Sequence, residues 1–194
     1  MRKIITILLL FTTISAVADE RGEKRLQTIS RHYANMGRYM VSFSLQAGEA
    51  APQRGFMLVD GENSYLKAGD MEIFITGNLR YEVRGDSKEI IVDRADAYEK
   101  ELLNSLNGFS AITADYAIEE CTIEGRTAVR LTPKKPGEVA YIITTPSGEG
   151  VAKMLYGAGE NKVEIIVEKS ESTTQKLPIF SKEEYKGFEL IDFR

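Results

Sequence analysis

A chain of 194 residues with a formal net charge of −4 is long enough to bury a substantial core and short enough to form one domain. The acidic balance excludes nucleic acid as an expected partner, because a phosphate backbone binds to a positively charged surface. Cys121 is the single cysteine, so an intramolecular disulfide is excluded and packing must stabilise the folded chain.

The first 18 residues have the features of a secretory signal peptide. Arg2 and Lys3 precede an apolar run over residues 4–14, and Ala16-Val17-Ala18 supplies small residues for cleavage. The apolar run is shorter than the stretch of about 20 residues that spans a bilayer. We therefore expect residues 1–18 to be removed and residues 19–194 to form a single domain that is soluble in the periplasm.

The mature N-terminus is predicted to be an amphipathic helix. Apolar residues recur at steps of three and four on one stripe: Leu26, Ile29, Tyr33 and Met36. Gly37 is suited to end the helix, because glycine accepts the left-handed conformation that follows a last turn. The other face is basic, with Arg21, Lys24, Arg25 and Arg31. A solvated surface is the expected role of this face, and docking on an anionic membrane or partner is the alternative.

From Tyr39 onward the apolar period changes to two, which predicts β-strands. The runs are "VSFSLQ", "QRGFMLVD", "NSYLKAG", "MEIFITG", "LRYEVRG" and "KEIIVD", then "DYAIEECTI", "RTAVRLTP", "VAYIITTP", "GVAKMLYG", "NKVEIIVE" and "GFELIDFR". Short glycine-containing turns between them predict an antiparallel meander. A sheet of roughly eleven strands is expected to curl, with one apolar and one polar face.

Residues 97–109, "AYEKELLNSLNGF", interrupt the strands with a predicted midchain helix. Asp96 and Glu99 resemble a capping box, and Gly108 is a plausible stop. Its apolar face consists of Tyr98, Leu102, Leu103, Leu106 and Phe109. The predicted fold class is therefore α+β and mainly β: a curled antiparallel sheet, or half-open β-barrel, that an N-terminal helix and a midchain helix cover.

No set of residues in the sequence suggests catalysis. His32 is the single histidine and lies inside the N-terminal helix, where we expect a structural role. Cys121 lies in a strand pattern and is expected to be a buried, inert thiol. "GAGENK" precedes a strand, whereas a dinucleotide site needs a helix there, so it is interpreted as a hairpin turn. We expect no catalytic residues, no metal, no cofactor and no enzymatic activity.

The order of these elements, with "VSFSLQ", "VRLTP" and the final "GFELIDFR", resembles the LolA-like family of periplasmic lipoprotein carriers. In "GNLRYEV", Gly77 matches the family pattern, Tyr81 stands where tryptophan is usual, and Val83 stands where tyrosine is usual. The family's early Phe-x-Gln resembles the segment from Phe43 to Gln46, which is one residue longer. Residues 60–62, "DGE", occupy the place of the family's Arg-Pro turn.

The resemblance implies a half-barrel with an apolar cavity that receives the acyl chains of lipoproteins, or another lipid, on their way to the outer membrane. It implies an inner-membrane donor protein, an outer-membrane acceptor protein and a monomeric carrier. The alternative is a non-enzymatic envelope-sensing or interaction module whose half-barrel binds a protein partner. A third possibility is that apolar side chains fill the barrel.

The predicted cavity and lid residues come from both sheet and helix. They are Val41, Phe43, Leu45, Phe56, Leu58, Ile73, Ile75, Tyr81, Val83, Tyr98, Leu102, Leu103, Leu106, Phe109, Val129, Leu131, Tyr141 and Ile143.

Overall fold

The computed structural model describes residues 20–95 and 110–194. The signal peptide predicted over residues 1–18 and the helix predicted over residues 97–109 therefore lie outside the described residues. Two α-helices are described, α1 (Glu20–Met36) and α2 (Ser110–Asp115). The strands are β1 (Tyr39–Ala47), β2 (Gln53–Asp60), β3 (Asn63–Ala68), β4 (Met71–Thr76), β5 (Leu79–Arg84), β6 (Glu89–Arg94), β7 (Tyr116–Ile123), β8 (Arg126–Pro133), β9 (Ala140–Thr144), β10 (Val151–Tyr156), β11 (Val163–Ser172) and β12 (Glu189–Asp192).

All of these strands form one twelve-stranded sheet in the order β12-β6-β5-β4-β3-β2-β1-β11-β10-β9-β8-β7. Two antiparallel meanders, β1–β6 and β7–β11, are joined where β1 pairs with β11. The predicted curled sheet, mainly β and with a helix against one face, is confirmed. The expectation of antiparallel pairing throughout is wrong at β12, which pairs parallel to β6 because the chain crosses the sheet before it forms this strand.

Two-residue turns set the register from β2 to β5 in the first meander. The turns at residues 61–62, 69–70 and 77–78 each begin with a glycine whose φ lies between +57° and +59°. Glycine at the first turn position is the preference of type II′ hairpins, whose twist matches that of the flanking strands. Because these three turns have the same length, residues that pair across neighbouring strands can be identified by counting from each turn, and paired residues lie on the same face of the sheet.

The N-terminal helix packs on one face of the sheet, which we call the helix face. Leu26, Ile29 and Tyr33 are buried in a cluster with Val129 and Leu131 of β8, as the predicted stripe requires. Met36 is partly buried against the same cluster, and Gly37 follows the last turn with a φ of +68°.

Gly22 allows α1 to approach β7 closely. A Cβ atom at this position would lie 2.8 Å from Cγ2 of Ile118 and 3.1 Å from the backbone of Glu119. Since that space is occupied, the absence of a side chain at Gly22 sets how closely helix and sheet can pack.

The opposite face, which we call the outer face, carries a second apolar cluster. Leu58, Tyr65, Phe74, Val83, Ile90 and Val92 form its buried part. Residues 173–188, which we call the strap, cross this face, and Leu177, Phe180, Tyr185 and Phe188 pack against the cluster. The expectation of a polar outer face is therefore wrong for β2–β6, because the chain's own C-terminal segment covers apolar side chains there.

Candidate functional site

A row of apolar side chains crosses the helix face of the first meander. Register pairs Val41 with Met57, Met57 with Leu66, and Leu66 with Ile73. We call these four residues, with Ile91 of β6, the apolar row. Strands lie about 4.8 Å apart, so the row extends over about 24 Å from β1 to β6. That length accommodates an extended acyl chain.

Most of the apolar row is only half-buried. Val41 is buried in the cluster beneath α1, whereas Met57, Leu66, Ile73 and Ile91 keep intermediate exposure. Among the described residues, Leu66, Ile73 and Ile91 belong to neither apolar cluster. Within residues 20–95 and 110–194, the helix face is thus packed in a cluster beneath α1, and Leu66, Ile73 and Ile91 on β3, β4 and β6 lie outside that cluster.

A charged group interrupts the apolar row at β5. Glu82 lies between Ile73 and Ile91 in the register, and the residue is only 7% exposed. Arg80 donates a hydrogen bond from its guanidinium to Oε2 of Glu82, and Nε of Arg84 donates to Oε1 over 2.5 Å. We call Arg80, Glu82 and Arg84 the β5 ion triad.

The two arginines keep the Glu82 carboxyl ionised. Burial alone would raise its pKa, but the hydrogen bonds from Arg84 and Arg80 outweigh burial and hold the pKa below its ordinary value. A buried carboxylate with two guanidinium partners has its charge and its acceptor oxygens satisfied.

Acidic residues of β6 face the triad across the strand pair. Register places Asp93 opposite Arg80 and Glu89 opposite Arg84. Arg84 remains the accessible member, because its side chain is 46% exposed against 16% for Arg80. Along the apolar row, the helix face of the first meander is therefore apolar on β1–β4 and charged on β5, and on β6 the apolar Ile91 lies between Glu89 and Asp93.

The structure divides the predicted cavity residues between the two faces. Those on the helix face are Val41, Phe43, Leu45, Ile73, Ile75, Val129 and Leu131. Those on the outer face are Phe56, Leu58, Tyr81, Val83, Tyr141 and Ile143. The predicted lid residues Tyr98, Leu102, Leu103, Leu106 and Phe109 lie outside the described residues.

The expectation that all these strand residues share one surface therefore needs correction. Runs such as "FMLV" and "MEIFI" are apolar on both faces, so composition alone does not reveal which half of a strand points towards the helix. Met57, Leu66 and Ile91 on the helix face were missed for this reason. The signal that could have related Met57 to Leu66 and Ile73 is the equal length of the two-residue turns between β2 and β5; the longer loops before β2 and after β5 give no such signal for Val41 and Ile91.

Phe43 shows how tightly the middle of the helix face is packed. It is paired with Gly55, and a Cβ atom on that glycine would lie 2.7 Å from Cζ of Phe43 and 2.5 Å from the carbonyl oxygen of Lys67. The ring therefore lies over the space that a side chain on β2 would occupy.

A polar groove of about 370 Å³ lies beside α1, lined by Thr28, Arg31, His32, Asn35 and Glu149. His32 Nδ1 is 4.0 Å from a carboxylate oxygen of Glu149. The groove is open to solvent and these lining side chains are polar, so it does not extend the apolar row.

Cys121 is half-buried rather than buried, because its strand β7 is an edge of the sheet. Burial, and then the charge of Glu119, raise the pKa of the thiol, which lowers its reactivity. Within residues 20–95 and 110–194, no group of three or more histidine, cysteine, aspartate or glutamate side chains is arranged to hold a metal.

Neither a family model nor a curated protein matches this sequence. In fold, the chain is similar to an uncharacterised conserved protein from Thermus thermophilus, at 7% identity and a TM-score of 0.54, with 89% of this chain and 99% of that chain covered. Further structures match with lower scores. The LolA superfamily protein NE2245 from Nitrosomonas europaea has a TM-score of 0.40 at 12% identity, with 81% of this chain and 94% of that chain covered.

The complex of MucA and MucB from Pseudomonas aeruginosa gives a TM-score of 0.46 at 11% identity, with 86% of this chain and 61% of that chain covered. All of these are likenesses of fold. Within the described ranges, no helix combines the length and the apolar character needed to cross a membrane.

Proposed function

We propose that this protein is a non-enzymatic periplasmic carrier that binds the acyl chain of a lipoprotein, or of another lipid, on the helix face of its half-barrel. The observation that supports the proposal best is the apolar row, which begins at the buried Val41 and continues through the half-buried Met57, Leu66, Ile73 and Ile91. The resemblance of the sequence to LolA-like carriers supports the same function and suggests a donor and an acceptor protein at the two membranes.

The energetics of such a site are favourable. Burial is worth about 0.8 kcal/mol per methylene, so a chain of about 15 methylenes has a gross burial energy on the order of 12 kcal/mol. Ordering of the ligand and of the protein offsets part of this energy. A carrier therefore needs an apolar surface that is not already filled by its own core, as the half-buried residues over β3, β4 and β6 provide.

Substitution within the apolar row tests the proposal. Ile73→Asn should weaken the binding of a fluorescent fatty acid by about tenfold or more, because a polar amide then replaces apolar contact with the chain. The measurement is a fluorescence titration of the purified mature protein.

Ile166→Asn is the matched control. Ile166 is 42% exposed and its register with Lys153 and Ser44 places it on the outer face, so this variant should bind the probe as the wild type does. Absence of probe binding by the folded wild type would contradict the carrier function. Equal loss in both variants would place the binding surface elsewhere.

An interaction module is the second candidate, and exposed apolar residues near the C-terminus favour it. Ile179 is 81% exposed and Phe193 is 65% exposed, the latter at the end of the edge strand β12. Native mass spectrometry of the protein purified from its own periplasm discriminates between the candidates. Bound lipid supports the carrier, whereas one stoichiometric protein partner without lipid supports the module.

A further inference from the structure

A charged group interrupts the apolar row near one end of it. On β1–β4 the helix face presents Val41, Met57, Leu66 and Ile73, and the next strand presents Glu82 between two arginines. A ligand that lies along the row therefore meets apolar side chains over most of its length and ionised groups at β5. A site with this asymmetry matches an amphiphile, which has a polar head and an apolar chain, better than a plain hydrocarbon.

Arg84 is the group of the triad that a ligand can reach. Its side chain is 46% exposed, and within the described residues its hydrogen bond runs from Nε to Glu82. A guanidinium carries five N–H donors in a planar fork that matches a carboxylate or an ester oxygen. The pairing with Glu82 uses Nε, so the N–H groups of the two Nη atoms are further donors of the same fork.

The neighbouring acidic groups bear on the chemistry of the ligand. Glu89 lies opposite Arg84 and accepts a hydrogen bond from Ser87 over 2.9 Å. Asp93 lies opposite Arg80 and accepts one from the backbone N–H of Arg94 over 2.6 Å. With Glu82, these carboxylates outnumber the two guanidinium groups by one. The surface therefore favours a hydrogen-bond acceptor over a group of high negative charge.

We propose that the β5 ion triad is the polar subsite of the ligand site, where Arg84 donates hydrogen bonds to the carboxyl or ester oxygens at the head of an acyl chain that extends over Ile73 and Leu66. The triad thus gives the ligand a direction, with its head at β5 and its tail towards β1. This inference rests on the proposed carrier function and names the class of ligand, a fatty acid or an acyl ester.

Three fluorescent probes with the same chain length test it: a pyrene-labelled fatty acid, its methyl ester and the corresponding pyrene-labelled alkane. A hydrogen bond from a charged donor strengthens binding by about tenfold or more, so the wild type should bind the acid and the ester at least that much more tightly than the alkane. Tighter binding of the acid than of the ester identifies free fatty acid as the source of the head group, and tighter binding of the ester identifies an acyl ester.

Arg84→Gln should remove most of this preference by weakening the binding of the acid and the ester. Arg84→Lys, which keeps a charged partner for Glu82 but lacks the fork, should show an intermediate preference. The matched control is Arg54→Gln on the outer face, where Arg54 is 87% exposed and pairs with Glu168 over 3.4 Å. This control changes the net charge equally and should keep the full preference.

The outcomes separate the inference from the proposed function. If the wild type binds the alkane as tightly as the acid and the ester, the polar subsite is contradicted while the carrier function stands. An unchanged preference in Arg84→Gln also contradicts it. If the folded wild type binds no probe, both the carrier function and the subsite are contradicted. Thermal midpoints close to that of the wild type show that the variants are folded.

Discussion

Glu82 is a charged residue in a position that the surrounding strands fill with apolar side chains. Its side chain is 9% exposed, and it is held by the guanidinium groups of Arg80 and Arg84. Replacement of a buried ion pair by apolar residues is often neutral, whereas removal of one partner leaves buried charge unpaired. The triad should therefore be sensitive to a single substitution at its centre.

Glu82→Gln should lower the free energy of unfolding by about 3 kcal/mol or more, because two guanidinium groups lose their shared carboxylate. Glu124→Gln is the control: Glu124 is 66% exposed and pairs with Lys153 over 3.6 Å, so its loss should cost less than about 1 kcal/mol. Urea unfolding at neutral pH measures both values. A loss at Glu82 as small as that at Glu124 would contradict the structural role of the triad.

The direction of the Glu82 pKa shift determines how the stability difference between the wild type and Glu82→Gln depends on pH. Because the pKa of folded Glu82 lies below its ordinary value of 4.5, its stabilising contribution is complete above that value and is lost as the pH falls through the folded pKa. The difference in unfolding free energy between wild type and Glu82→Gln should therefore shrink in acid. A difference that grows as the pH falls would be inconsistent with an ionised Glu82.

At the scale of elements, the strap covers the outer face of the sheet, a role that its sequence pattern does not predict. Phe180 stacks on Tyr81 with ring centroids 4.2 Å apart and contacts Phe74 edge-on at 5.8 Å. Tyr185 continues the stack, and burial, with the charge of Glu72, raises the pKa of its hydroxyl to about 12. These contacts connect the strap to β4 and β5 before the chain forms β12.

Phe180→Ala should lower the free energy of unfolding by about 3 kcal/mol, since the substitution removes apolar contact and the aromatic pairs with Phe74, Tyr81 and Tyr185. The adjacent Ile179 provides the control, because it is 81% exposed and Ile179→Ala should change stability by less than about 0.5 kcal/mol. Chemical denaturation of both variants checks the prediction. Similar stability of the two variants would show that the strap contributes little to the fold.

At the scale of the whole molecule, the central strands link the two apolar clusters. Along β1, Val41 belongs to the cluster beneath α1, whereas Met40 packs against the cluster beneath the strap. Along β2, Val59 belongs to the cluster beneath α1, and Leu58 belongs to the cluster beneath the strap. Because adjacent residues of one strand stabilise both faces, loss of either cluster should unfold the strands that support the other.

Unfolding of the described sheet should therefore be a single cooperative transition. The chain contains no tryptophan, so Tyr33→Trp and Tyr185→Trp introduce fluorescent reporters of the helix-face and outer-face clusters in separate variants. In each variant, the fluorescence midpoint in urea should coincide with the midpoint from far-ultraviolet circular dichroism. Separate midpoints for the two signals would indicate that the faces unfold independently.

Local patterns of the sequence determined most of the secondary structure. The stripe from Leu26 to Met36 defined α1, and the alternation with glycine turns defined the strands, because hydrophobic period and turn chemistry act over a few residues. The curled sheet followed from the number of strands. The same patterns do not determine the face of each cavity residue, since Phe56 and Leu58, predicted to line the cavity, lie on the outer face, and Met57 and Val59 lie on the helix face.

Contacts between distant segments decided the rest. That β1 joins β11, that β12 runs parallel to β6, and that the strap covers the outer face depend on chain crossings that no local period encodes. In the sequence, the polar half of β5 has the pattern of an ordinary solvent-exposed strand face and consists of Arg80, Glu82 and Arg84. Only the strand register shows that Glu82 lies between Ile73 and Ile91. The sequence by itself thus determined the secondary-structure elements and the curl of the sheet. The tertiary structure decided which side chains share a face, because a shift of one residue in strand register moves every side chain of that strand to the opposite face.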